Sequence, residues 1–171
     1  MAFKTMVPKI KVNIKDVFFS PTRGAMRLQE IVDLIAQTVT QENGCRLIVG
    51  TDSKRHTEYL TYVTVIILYR IGKGGIYFYQ RQRSEVGRYS LQAAIFHETS
   101  LSLATAAKLD DLLKKQGIRH LEIEIHSDVG NHGKTKELIQ EVVGWINASG
   151  YMAQIKPDSF GASSVADKYT D

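Results

Sequence analysis

The stretch Arg46-Leu47-Ile48-Val49-Gly50-Thr51-Asp52-Ser53 constrains the chain more than any other. From Leu47 to Thr51 no side chain is charged, Ile48 and Val49 are β-branched, and the run then meets an acid. Such a run is expected to form a strand buried on both faces, hence a central strand of a sheet covered by helices. A carboxylate at the C-terminal end of that strand is costly unless a cation meets it. Two explanations stay open for Asp52 at this point: a metal ion beside it, or a role in capping the following turn, as Asp often has at strand ends.

The chain of 171 residues is expected to be one core-forming fold of ordinary globular composition. No charge-free apolar run reaches the ~18 residues of a membrane span. The N-terminal Met1-Ala2-Phe3-Lys4 lacks the apolar core of a secretory signal. Cys45 is the single cysteine, which excludes an intrachain disulfide and a cysteine-based zinc site. A reducing, cytoplasmic setting is the expectation. The net charge of +4 is compatible with a polyanionic partner without requiring one.

Residues 1–44 are expected to form an N-terminal arm and helix packed on a main domain of residues 45–171. Lys9, Lys11 and Lys15 alternate with Ile10, Val12 and Ile14, the pattern of an edge strand or a basic arm. Ser20-Pro21-Thr22-Arg23-Gly24 is a turn, and Leu28, Ile31, Val32, Ile35 and Val39 predict a helix over roughly 26–40. After the central strand at 46–52, Ser53 to Thr57 is expected to be a polar, basic loop. Two strands follow, 59–70 and 76–83, joined by the hairpin turn Ile71-Gly72-Lys73-Gly74-Gly75. Tyr77, Tyr79, Arg81 and Arg83 share one face of the second, suited either to nucleic-acid contact or simply to an exposed sheet face.

The longest helix is expected over 90–116, stopped by Gly117. Its apolar register, 91, 94 or 95, 98, 101 and 105, includes Glu98, so this carboxylate is aimed at the core or sits at the edge of a wide stripe. His97 lies about 100° further round the helix and is incidental. Leu121, Ile123 and Ile125 then alternate with polar residues, predicting a strand over 118–127 that runs into a second acid, Asp128. A helix over 134–148, a short strand over 151–156 and a last helix from Ala162 complete the order. Lys134 and Thr135 after Gly133 resemble the end of a phosphate-binding loop, but its first glycine would stand at Asp128, so that motif fails. Asp167 falls three residues after Ser164, the spacing of a helix cap and its third residue.

Strand, strand, strand, helix, strand, helix, strand, helix predicts an α/β fold with a mixed sheet whose first and fourth strands lie side by side and parallel. The order, with Asp on the first strand, Glu in the long helix, Asp ending the fourth strand and Asp in a late helix, resembles the ribonuclease H-like superfamily. Val49-Gly50-Thr51-Asp52-Ser53, His126-Ser127-Asp128-Val129-Gly130 and Ser163-Ser164-Val165-Ala166-Asp167-Lys168 are similar to its YkuK-type bacterial family. The resemblance implies a ribonuclease H-like mixed five-stranded sheet flanked by helices, with an N-terminal helical extension. It also implies that Asp52, Glu98, Asp128 and Asp167 are catalytic metal ligands, Asp167 matching the most variable position. This chain departs from the ribonuclease H pattern in two places: Ser53-Lys54-Arg55-His56 replaces a glycine-rich turn, and no histidine loop precedes the last helix.

Carboxylates and water suit hard ions such as Mg²⁺ or Mn²⁺. Two such ions would activate water and stabilise the leaving oxygen of a phosphodiester, and would relieve the repulsion among four acids. The expected function is therefore metal-dependent hydrolysis of a nucleic acid, whether DNA, RNA or a hybrid. Lys54, Arg55, Lys134 and Lys168 are the candidate backbone contacts, or else serve to offset the acidic cluster. The alternatives are a non-catalytic nucleic-acid-binding module of the same fold, and a junction resolvase, which would work as a dimer. A nucleotide phosphatase or kinase of the actin-like group shares the sheet order, but the chain lacks length for the two domains that enclose ATP.

Overall fold

The computed structural model describes residues 14–85 and 90–171, with Glu85 and Phe160 described by backbone alone. Lys4, Lys9 and Lys11 of the basic N-terminal stretch lie outside the described residues. The elements are β1 (Val17–Ser20), β2 (Gly24–Arg27), α1 (Leu28–Gln41), β3 (Cys45–Arg55), β4 (Tyr59–Arg70), β5 (Gly74–Glu85), α2 (Leu91–Lys115), β6 (Ile123–His126), α3 (Ile139–Ala148), β7 (Met152–Gln154) and α4 (Phe160–Asp167). A 3-10 turn over 136–138 precedes α3.

The strands form one mixed sheet in the order β2-β1-β5-β4-β3-β6-β7. Among the described residues it has seven strands, not the five expected. Ser20 to Gly24 turns the chain back on itself, with Gly24 at φ 73°, a conformation glycine adopts without strain. The resulting β1–β2 hairpin joins β5 through Phe19 opposite Tyr79. The Gln80 amide secures it by donating to the carbonyls of Lys15 and Val17, each at 2.8 Å. A hairpin of four-residue strands carries little periodicity, which is why only its turn was visible in the sequence.

β3 is central, as its composition requires: Leu47 to Thr51 are all buried. It pairs antiparallel with β4 and parallel with β6, the arrangement expected of the first and fourth strands of the main fold. It runs on to Arg55 because Ser53, Lys54 and Arg55 ladder against Tyr62, Thr61 and Leu60. The partner strand, not the polarity of these residues, decides where β3 ends. β6 is shorter than its alternation predicts, since only residues 123–126 reach β3 and β7. The Ile118 amide instead closes α2 by donating to the Leu113 carbonyl.

α1, α2 and α3 cover one face of the sheet. Ile31, Ile35, Leu101, Leu109, Val142 and Ile146 enter the main core with Leu47, Val49 and Phe78. α4 covers part of the other face, where Ala162 and Ala166 pack on Ile48, Val63, Val65 and Ile67. Among the described residues no helix is long and apolar enough to cross a membrane.

Candidate active site

Gly50 on β3 stands opposite His126 on β6 in parallel register. Asp52 and Asp128 each lie two residues beyond that rung, so parallel pairing alone delivers both acids to the same end of neighbouring strands. Asp52 lies inside β3, with its Oδ1 accepting the Ser53 amide at 2.9 Å. No turn follows it, and the capping role left open for Asp52 does not apply.

Glu98 approaches from α2, facing inward and only 8 % exposed. The register that placed it among apolar positions holds for Ala94, Ile95, Leu101 and Thr105, while Leu91, at the start of the helix, is exposed. One turn after Glu98, Ser102 meets Thr51 of β3, hydroxyl to hydroxyl at 2.8 Å, and Thr51 meets Thr64 of β4 at 3.1 Å. This buried hydroxyl chain fixes α2 on the sheet beside Asp52. The Ser53 hydroxyl donates to Glu98 Oε1, linking the helix acid to the residue after Asp52.

Asp167 is the last residue of α4 and is exposed. Its cap reading fails, because the N-cap of α4 is Ser159 and Ser164 lies within the helix. α4 lies close on β3 because Gly50 leaves room: a Cβ there would stand 2.6 Å from that of Ala162. One residue on, Ser163 donates to Asp128 Oδ1 at 3.1 Å, and Lys156, just past β7, places its Nζ 3.1 Å from the same oxygen.

The acids feel one another. Asp52 is pushed up to about 6, by burial above all, with Asp128 and Asp167 adding to the rise while the Ser53 amide and Lys156 offset it. Glu98 is pushed up to about 8, again chiefly by burial, with Asp52 and Asp128 adding and the Ser53 hydrogen bonds opposing. Perturbed carboxylates gathered at a sheet end are a mark of functional sites, though structural clusters also produce them. The oxygen-only donor set suits Mg²⁺ or Mn²⁺. Among the described residues no group of three or more His, Cys, Asp or Glu side chains is arranged to hold a metal ion. Glu98 is turned to Ser53, and Asp128 to Ser163 and Lys156. The donor chemistry therefore fits a hard divalent ion, while these carboxylates are partnered by protein donors.

Of the candidate backbone contacts, Lys54 lies on the Asp52 face of β3 and Lys168 follows Asp167 at the end of α4. Arg55 is exposed on the opposite face, because successive strand residues alternate. Lys134 is exposed in the loop after β6. His97 packs edge-on against Tyr62 with ring centroids 4.5 Å apart. Ser53, Ser163 and Lys156 were not singled out from sequence. Lys156 had a signal, since a cation ending the strand beside β6 reaches the Asp128 end of the sheet.

The family model described as "Ribonuclease H-like" matches residues 27–171. The protein named "Uncharacterized protein YkuK" from Bacillus subtilis (strain 168) is 32% identical over 166 residues, spanning 90% of this chain and 96% of its own length. No solved structure matches. The chain therefore belongs to the ribonuclease H-like family, with a YkuK-type relative along nearly its whole length.

Proposed function

We propose that this protein hydrolyses phosphodiester bonds of a nucleic acid, using Mg²⁺ or Mn²⁺ held by Asp52, Glu98, Asp128 and Asp167. The observation that carries the reading is the parallel β3–β6 register that brings Asp52 and Asp128 to the same sheet end, with buried Glu98 joined to Ser53 beside Asp52; the rise that Asp128 and Asp167 add at Asp52, and that Asp52 and Asp128 add at Glu98, supports it. Bound divalent ions would supply the Lewis acidity that activates water and neutralises the leaving oxygen. The chain's own part is positional. Asp52 stands on β3, which is paired on both sides, Ser163 donates to Asp128, and the Thr64-Thr51-Ser102 hydroxyls tie α2, which carries Glu98, to the sheet. Glu98 must give up its proton and its Ser53 contact to act as a ligand, and Lys156 must share Asp128. Burial of the pair strengthens every charge interaction made there.

Lys156 favours a second reading, a non-catalytic nucleic-acid-binding module in which the ammonium group already serves Asp128. Asp52→Asn separates the two. The nuclease reading expects Mn²⁺-dependent cleavage to fall by about 100-fold or more, the scale of losing one charge-stabilising group in a transition state, with thermal melting preserved. Calorimetric Mn²⁺ binding by a wild-type protein that cleaves neither DNA nor RNA would leave the binding module.

A further inference from the structure

The sheet face that carries Asp52 continues beyond it as a basic track. Strand register sets Asp52, Val63 and Arg81 in one row, and Lys54, Thr61 and Arg83 in the next row on that face. The rows are about 6.8 Å apart by strand geometry, close to the step between successive phosphates along a nucleic-acid strand. Lys54, Arg81 and Arg83 are exposed. At the far end, His56 stacks on Tyr59 with ring centroids 4.4 Å apart, and the Arg83 guanidinium lies 4.6 Å from the Tyr59 centroid.

Residues 169–171 lie along this track. Arg81 Nε donates to the Tyr169 carbonyl at 2.7 Å, His56 Nε2 lies 3.2 Å from the Thr170 carbonyl, and Lys54 pairs with the Asp171 carboxylate. The Tyr169 ring stacks on Tyr79 at 3.7 Å, and its hydroxyl meets that of Tyr77 at 2.7 Å. Successive oxygen acceptors, the last of them anionic, are thus gripped by a guanidinium, an imidazole and an ammonium group. A phosphodiester backbone would offer the same groups the same kind of acceptor.

We propose that Lys54, His56, Arg81 and Arg83 form a nucleic-acid backbone track leading to Asp52, and that residues 169–171 cover it in the free protein, with the Asp171 carboxylate standing where a phosphate binds. The proposal rests on the reading of Asp52 as part of a nuclease site. It adds His56, to which sequence assigned no role, to Lys54, Arg81 and Arg83, and it makes nucleic acid and the 169–171 segment competitors for one surface. The track faces away from α2, so a bound strand would reach Asp52 from the α4 side.

The test is fluorescence anisotropy with a labelled oligothymidylate of about 12 nucleotides, within the range one such surface occupies, in EDTA so that nothing is cleaved. Asp171→Asn is expected to tighten binding about threefold or more, by removing the competing charge. Lys54→Ala and Arg83→Ala are each expected to weaken it by a similar factor and to lower the slope of log K against log salt by about 0.7, the value of one phosphate contact on a single strand. All three side chains are exposed, and unchanged melting temperatures verify the fold. Wild-type affinity in Asp171→Asn, or unchanged affinity and salt slope in either cation variant, overturns the proposal. Cleavage assays in Mn²⁺ keep the two readings apart. Cleavage lost in Asp52→Asn while the track variants bind like wild type removes the track alone. Track variants that behave as expected in a protein that never cleaves remove the nuclease reading and leave the track.

Discussion

At the scale of single residues, Gly50 shows how closely the site depends on backbone approach. A methyl group there would stand 2.6 Å from the Ala162 Cβ and 3.4 Å from the His126 carbonyl oxygen, so α4 must move off β3 or the strand must bend. Gly50→Ala is therefore expected to destabilise the fold by about 1–3 kcal/mol, the range for overpacking a tight contact. Denaturant unfolding measures it, and Ala162→Gly in the same chain is expected to recover much of the loss. No recovery would place the strain elsewhere. Asp52, Glu98 and Asp128 could be singled out from sequence because each interrupts a pattern: a charge-free run, an apolar helical register, an alternating strand. Asp167 interrupts nothing and emerged only through the family resemblance. Ser53, Ser163 and Lys156 are ordinary polar residues whose importance lies in what they touch, and touch is settled by chain segments far away in sequence.

At the scale of elements, sequence patterns foretold which segments form strands and helices more reliably than where they stop. β3 outran its apolar stretch because β4 offered partners as far as Leu60, and β6 fell short of its alternation because Ile118 is still tied to the end of α2 and the ladder to β3 holds only residues 123–126. The β1–β2 hairpin was hidden for the same reason: its place at the sheet edge rests on Phe19, Tyr79 and Gln80, not on its own residues. The join between α2 and the sheet is a further element-level property. It consists of three hydroxyls in line, Thr64, Thr51 and Ser102, in the core and one turn from Glu98. Thr51→Val keeps the shape but strands the other two hydroxyls, which is expected to cost about 1–3 kcal/mol. A urea midpoint unchanged from wild type would mean that the hydroxyl chain does not hold the helix.

For the whole molecule, a chain of net positive charge brings Asp52, Glu98 and Asp128 to one sheet end, and that arrangement makes stability depend on pH. Asp52 and Glu98 both have folded values raised above the ordinary 3.8 and 4.5, to about 6 and about 8. Between roughly pH 4 and pH 8 the folded state therefore holds protons that the unfolded chain has released, and these groups' contribution to stability falls as pH rises through that window. His97 and His126 act in the opposite sense at the acid end, since burial lowers both and their neutral forms must take up protons on unfolding. The informative quantity is thus the difference between Glu98→Gln and wild type. The variant's melting temperature is expected to gain on wild type from pH 5 to pH 8 by several degrees, as about 1 kcal/mol moves the Tm of a chain this size by roughly 2–4 °C. A divalent ion held as proposed would compete with protons for the same carboxylates, so Mn²⁺ is expected to raise the wild-type Tm more at pH 8 than at pH 5, and to do so much less in Asp52→Asn. Equal Mn²⁺ effects at the two pH values, or in the two proteins, would mean that the ion binds somewhere other than this cluster, and the four acids would then share a sheet end without sharing a metal.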